Sequence, residues 1–259
     1  MPSPPAKSQP VVHFLTFGAG HEFKHSLSKI ATEARAIPLF HHIHAWDEQT
    51  LISDKDFWEA HGDFVSNNKR GWGYWIWKPY IVLQLLDRID DGDVIVYADC
   101  GCQLNNTPSA MYRLQEYIDI AQTSVHGILS LCGKHPDLVE SRFTKMDTAA
   151  AMQATDAEFL NTKQLIATTF VVRKCDAIVE LFRACYDLCC TNNYHLINDH
   201  PSTLPNDPGF REHRHDQSIF SLLRKKRGTE WITDETYWAP DWEKRGANFP
   251  IWARRRRIT

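Results

Sequence analysis

The chain has 259 residues, 43% of them hydrophobic and 24% charged, which is enough apolar material for a sizeable core without help from cross-links. A formal charge of −3 gives no global attraction to nucleic acid, and no run of about 18 apolar residues is present to suggest a membrane span. Seven cysteines, an odd number without a CxxC pair, read as reduced thiols, so the expectation is a cytoplasmic protein.

Residues 1–10, MPSPPAKSQP, are polar and proline-rich and predict a disordered tail, leaving 11–259 as one domain. Val11 to Phe17 reads as a first strand, and Gly18-Ala-Gly20 permits a tight exit from it. The third glycine of a dinucleotide fingerprint is missing, which disfavours a nicotinamide oxidoreductase. A helix over 25–36, an extended segment over 37–43 and a helix over 48–67 follow. The spacing then predicts a helix over Pro79 to Ile89, a buried strand over Asp93 to Ala98, a helix over 108–121 and a strand over Gly127 to Cys132. Further on come a helix over 148–160, a strand over Gln164 to Arg173, a helix over 176–190, and a long loop over 191–212 that suits acceptor binding or a lid. Alternating strands and helices imply an α/β sandwich.

The chemistry concentrates in residues 69–105. Arg70 and Lys78 flank a loop of glycines and aromatic residues that includes Trp75, and such cations beside bulky rings suit a nucleoside diphosphate. Asp99 follows the buried strand, where ligands of open α/β sheets collect. The same carboxylate could instead close the turn before Gly101.

Four segments carry a resemblance. Arg70-Gly-Trp-Gly-Tyr-Trp-Ile-Trp-Lys-Pro79 with Val96-Tyr-Ala-Asp-Cys-Gly101, His213-Arg-His-Asp-Gln-Ser218, and Phe249-Pro-Ile-Trp-Ala-Arg-Arg255 resemble a family of small nucleotide-sugar glycosyltransferases of bacteria and large algal viruses. The resemblance implies a GT-A-like fold, a single α/β domain with a mixed central sheet flanked by helices. It also implies an enzyme of glycan biosynthesis that moves a hexose or pentose from a UDP-sugar to a glycan hydroxyl. Thr16, Phe17 and Gly18 would then contact the donor's uracil and ribose, and Asp216 with Gln217 would lie beneath the donor sugar, with retention favoured over inversion. From its own position Asp216 also reads as a helix cap.

The usual Asp-x-Asp pair of such enzymes reads Tyr97-Ala98-Asp99 here, leaving one carboxylate for a divalent ion, Mn²⁺ or Mg²⁺. His213 or His215 is the candidate second ligand. Arg142, Lys145 and Asp147 are candidate contacts to acceptor hydroxyls, with a solvated loop as the alternative. Trp231, Tyr237, Trp238, Trp242 and Trp252 serve either a carbohydrate groove or the core. The run Arg254 to Arg257 is a solvated tail, a donor-phosphate contact or a contact to an anionic membrane surface. A nucleotide-sugar hydrolase or pyrophosphorylase, and a noncatalytic carbohydrate-binding module, are the rival classes.

Overall fold

A computed structural model describes residues 10–237 and 241–255. The expected tail over 1–10 lies almost wholly outside them, as do Trp238, Arg256 and Arg257. In chain order the elements are β1 (Val12–Gly18), α1 (His21–Arg35), β2 (His42–Asp47), α2 (Glu48–Ile52), α3 (Lys55–Asn67), the turn α4 (Gly71–Tyr74), α5 (Trp77–Leu86), β3 (Val94–Ala98), β4 (Gln103–Leu104) and α6 (Pro108–Thr123). After these come β5 (Ile128–Cys132), the short helices α7 (Glu140–Phe143), α8 (Met146–Ala151) and α9 (Ala157–Leu160), then β6 (Leu165–Arg173), α10 (Asp176–Tyr194), α11 (His215–Arg227), β7 (Glu230–Thr233) and β8 (Ile251–Trp252).

The central sheet has the order β2-β1-β3-β6-β5-β7, with β1 parallel to β2 and β3, β5 parallel to β7, and β6 antiparallel to both β3 and β5. Strand alternation sorts side chains between two cores. Val94 and Val96 of β3 join Phe14, Ile30, Leu114 and Ile118 on the α1/α6 face; Ile95 and Tyr97 join Leu15, Ile81, Phe170, Phe182 and Ile219 on the α5/α10/α11 face. Both faces are covered, which is why β3 reads as a continuous apolar run and β6 is buried along nearly its whole length. This is the mixed α/β sandwich expected from the sequence.

Several boundaries differ from expectation for local reasons. The extended segment lies at 42–47 rather than 37–43, because the chain turns through residues 37–40 before the His41 N–H bonds to the Val12 carbonyl and sets the pairing of β2. The helix expected over 48–67 is two helices. Asp47 and Thr50 form a capping box on α2, and Asp54 caps α3 by accepting from the Phe57 N–H at 3.1 Å. The helix expected over 148–160 is likewise split into α8 and α9. Asp216 does not cap α11: Arg214 occupies that position without a side-chain cap, and Asp216 sits inside the first turn with its side chain buried.

Candidate active site

β1 and β3 run parallel, with Leu15 opposite Tyr97, so the exits of both strands open on one edge of the sheet. Gly18 meets the turn after Asp99 there; a Cβ at Gly18 would come within 3.1 Å of the Cys100 sulfur. Thr16 is fully buried and its hydroxyl has no hydrogen-bond partner among the described residues. Phe17 takes a different part from the one expected: its ring is core, 4.2 Å from Trp77 and 5.7 Å from Trp72 between centroids, so only its backbone is left to meet a ligand.

Lys78 joins two carboxylates. Its Nζ lies 3.1 Å from Asp99 Oδ1 and 3.3 Å from Asp216 Oδ2, and donates to the Ala167 carbonyl at 3.1 Å. The carbonyl takes a hydrogen bond from the ammonium, and the two carboxylates hold its charge as ion pairs. Lys78 therefore acts as a fixed buried charge rather than a free hand for phosphate. Burial works against that charge, but Asp216 and then Asp99 more than offset it, and the affinity of Lys78 for its proton rises. Burial lifts the Asp216 carboxyl to about 6, with Lys78 opposing and Asp99 assisting the shift. The Tyr97 hydroxyl donates to Asp99 Oδ1 at 2.7 Å. Residues two apart on an extended chain share a face, which is the local signal that pairs Tyr97 with Asp99.

The turn before Lys78 is left-handed throughout. Gly71, Trp72, Gly73, Tyr74 and Trp75 have φ of 58°, 52°, 83°, 51° and 63°. For the three non-glycine residues this costs roughly 1–2 kcal/mol each. Packing compensates: the Trp77 indole donates to the Gly71 carbonyl at 2.9 Å, and Trp72 stacks 6.1 Å from Phe57. Tyr74 and Trp75 stack on His215, with centroids 5.0 Å and 5.3 Å away. Strain of this kind gathers at functional sites. Arg70, at the head of the turn, gives Asp199 two bonds of 3.0 Å from one guanidinium nitrogen and stays half exposed.

The two candidate histidines have different fates. His213 accepts from the Lys145 N–H at 3.3 Å and donates to the Leu196 carbonyl at 2.9 Å, so its lone pair is spent; burial, with His215 and Lys145 nearby, holds it well below the ordinary histidine value. His215 donates from Nδ1 to the Ile197 carbonyl at 2.7 Å, which leaves a lone pair on a buried Nε2 that lacks a hydrogen-bond partner and lies 3.6 Å from Asp199 Oδ1.

For a divalent ion the chain offers Asp99 Oδ2, which takes no hydrogen bond from the described residues and belongs to a side chain 36% exposed, and His215 Nε2. Two carboxylates around one ammonium also leave room for a further positive charge. No group of three or more metal-ligating side chains occurs among the described residues. The residues thus fit an ion of the kind that takes one or two protein ligands and draws the rest from phosphate and water.

Gln217 is held in place, accepting from the Ala167 N–H at 3.0 Å and donating to Gln164 Oε1 at 2.7 Å. The expected acceptor contacts are mostly committed elsewhere. Lys145 is buried and donates to the Asn198 carbonyl at 3.0 Å, the Asn198 side chain at 3.3 Å and the His200 carbonyl at 3.2 Å; burial brings it down to about 8. Asp147 accepts from the Thr203 and Leu204 N–H groups, the Thr203 hydroxyl and His195 at 2.6–3.0 Å. These two side chains fasten the segment after α10 instead of facing a sugar. Arg142 pairs with Asp137 at 3.1 Å and keeps one third of its side chain exposed. Near the end of the chain, Trp252 is buried, and Trp242 donates to the Thr236 carbonyl at 3.1 Å, while Trp231 is 61% exposed. Among the described residues no disulfide is formed, and no helix is long and apolar enough to cross a membrane.

No protein-family model and no curated protein sequence matches the chain. Among solved structures, it is similar to a glycosyltransferase involved in the glycosylation of the major capsid of PBCV-1, with a TM-score of 0.50 at 10% identity over 94% of this chain and 92% of that one. Mouse xyloside xylosyltransferase 1 gives a TM-score of 0.49 at 10% identity, over 94% and 97% of the two chains. The galactosyltransferase LgtC gives 0.46 at 13% identity, over 93% and 86%. Identities this low speak to architecture alone, and the chain adopts the GT-A-like α/β fold.

Proposed function

We propose that the chain is a glycosyltransferase that moves a sugar from a nucleoside diphosphate donor, with UDP-sugars first, to a glycan hydroxyl. The observation that carries this reading is the Asp99–Lys78–Asp216 array at the common exit of β1 and β3, with Lys78 and Asp216 buried and Asp99 one-third exposed. Cleavage of a sugar–diphosphate bond puts negative charge on the leaving group and positive charge on the anomeric carbon, and a site with fixed charges of both signs answers both needs.

In this reading the backbone of Thr16 to Gly18 receives the nucleoside, and the left-handed turn with Trp75 and Arg70 borders the donor. Asp99 presents its open oxygen to the donor. Asp216, oriented by Lys78, lies beneath the sugar and offsets charge developing at the anomeric carbon, with Gln217 fixing the start of α11. A bound Mn²⁺ or Mg²⁺, held by Asp99 and His215, would supply positive charge to the departing diphosphate. Retention is favoured over inversion, because inversion needs a carboxylate open to the acceptor hydroxyl, and Asp216 is 6% exposed and aimed at Lys78.

The test is a donor panel of UDP-glucose, UDP-galactose, UDP-xylose and UDP-rhamnose with and without mixed glycoside acceptors, read by UDP release and product NMR. Acceptor-dependent release supports transfer, and the anomeric coupling reports the stereochemistry. Equal release without acceptor marks a hydrolase. No release from any donor, together with no UDP binding by calorimetry, would remove the reading.

A further inference from the structure

The last described strand returns to the site. β8 pairs antiparallel with β4, Gln103 opposite Trp252 and Leu104 opposite Ile251, and β4 begins just after Asp99. The Cys102 N–H bonds to the Asp99 carbonyl at 2.9 Å, and Asn105 binds the carbonyls of Ala247, Phe249 and Pro250 at 2.7–3.2 Å. On the other side the Ala253 N–H bonds to the Thr236 carbonyl at 2.9 Å. The two arginines that follow are thus delivered to the Asp99 end of the sheet on a backbone fixed from both flanks.

They meet different fates. Arg254 is committed: its guanidinium donates to Gln103 Oε1 at 3.1 Å, pairs with Glu243, and lies 5.2 Å and 5.4 Å from the Trp242 and Trp252 ring centroids. Arg255 is exposed, has a left-handed φ of 50°, and makes no ion pair with any described acid. Its guanidinium carbon lies 5.9 Å from the Tyr237 ring centroid. The Tyr237 hydroxyl in turn is 2.9 Å from the Thr168 hydroxyl, and the Thr168 carbonyl receives the Asp99 N–H at 2.9 Å. A second cation lies at α11's start: the Arg214 guanidinium carbon is 3.7 Å from the Phe143 ring centroid, and its Nε is 3.5 Å from Glu212 Oε1. Arg255, beside Tyr237 and in no ion pair with a described acid, thus holds an uncompensated charge at the edge of the site, where an anion would be its natural partner.

We propose that Arg255 is a phosphate-binding residue of this site, contacting the diphosphate of the nucleotide donor. The proposal rests on the donor class given under Proposed function. A strained backbone on an exposed arginine is repaid when the side chain gains a charge-assisted, geometrically matched partner, which guanidinium and phosphate provide.

Calorimetric titration of the full chain with UDP and with uridine, in Mn²⁺ buffer, tests this with Arg255→Ala and Arg255→Lys beside the unaltered protein. Arg255→Ala is expected to weaken UDP binding by about tenfold or more while leaving uridine binding unchanged, and Arg255→Lys to recover part of the loss. Circular dichroism checks that the variants fold. UDP affinity unchanged in Arg255→Ala overturns the proposal and leaves the glycosyltransferase reading standing. Equal weakening of uridine and UDP also overturns it, because the residue would then act on the nucleoside or on the fold. Loss of binding to phosphatidylserine vesicles with UDP affinity intact overturns it in favour of a membrane contact. No binding of UDP by the unaltered protein, with or without Mn²⁺, removes the donor class and this proposal together.

Discussion

The ammonium of Lys78 lies 3.3 Å from Oδ2 of Asp216, and both side chains are more than nine-tenths buried. Removing the cation leaves a carboxylate in apolar surroundings with Asp99 close by. Lys78→Met is therefore expected to cost about 3–5 kcal/mol of stability. Urea unfolding measures it, and a loss under about 1 kcal/mol would show that the array is not held together by its charges.

Asp99 is different because it is one-third exposed and its loss opens no cavity. Asp99→Asn should keep its circular dichroism spectrum while transfer falls by roughly 100-fold or more. Asp216→Asn should lower turnover with UDP affinity unchanged. Normal turnover in either variant would take that residue out of the chemistry.

Gly71 shows how tightly the left-handed turn is built. A Cβ there would lie 2.3 Å from the Trp75 ring, at a φ of +58°. Gly71→Ala should destabilise the protein by about 1–3 kcal/mol and push Trp75 off His215. Thermal unfolding gives the first quantity and tryptophan fluorescence the second; an unchanged spectrum would mean that the turn yields without moving the ring.

Asp147 supplies a pH signature. Burial alone would raise its proton affinity, but the bonds from His195, Thr203, Leu204 and Ser202 win, and the carboxyl is held below its ordinary value of 3.8. A depressed carboxyl in the folded state means that the unfolded chain binds more protons in acid. The stabilisation is whole well above 3.8 and drains away as the pH falls through and below that value. Unfolding free energy measured from pH 6 to pH 3 should fall more steeply for the natural chain than for Asp147→Asn. Parallel slopes would show that the bonds to the 202–204 segment are not coupled to its charge.

Some of this was legible in the residues. Val94 to Tyr97 announced a strand because a β-branched apolar run has little other use, and its position before Asp99 placed the site at the sheet's edge. Lys78 and Asp216 were both named, yet their pairing was not, because 138 positions separate them and no local pattern reports a contact made by α5 against the start of α11. The partners of Lys145 and Asp147 were hidden for the same reason: polar residues in a short segment look solvated until the partner some 50 positions away is known. The glycines at 71 and 73 signalled a turn, but Trp72, Tyr74 and Trp75 gave no sign of their left-handed backbone, since tertiary packing and not propensity holds them there. His213 and His215 are alike in sequence and each donates to a carbonyl; the distant Lys145 N–H, which occupies the second nitrogen of His213 and has no counterpart at His215, tells them apart.

The pairing of Gln103 with Trp252 has a kinetic side. Closing so long a loop is entropically slow, and a growing chain cannot do it until the ribosome has released nearly everything in between. Nascent polypeptide can thus assemble its six-stranded sheet while the pocket's rim stays unfinished, so maturation of the binding edge should lag behind acquisition of secondary structure.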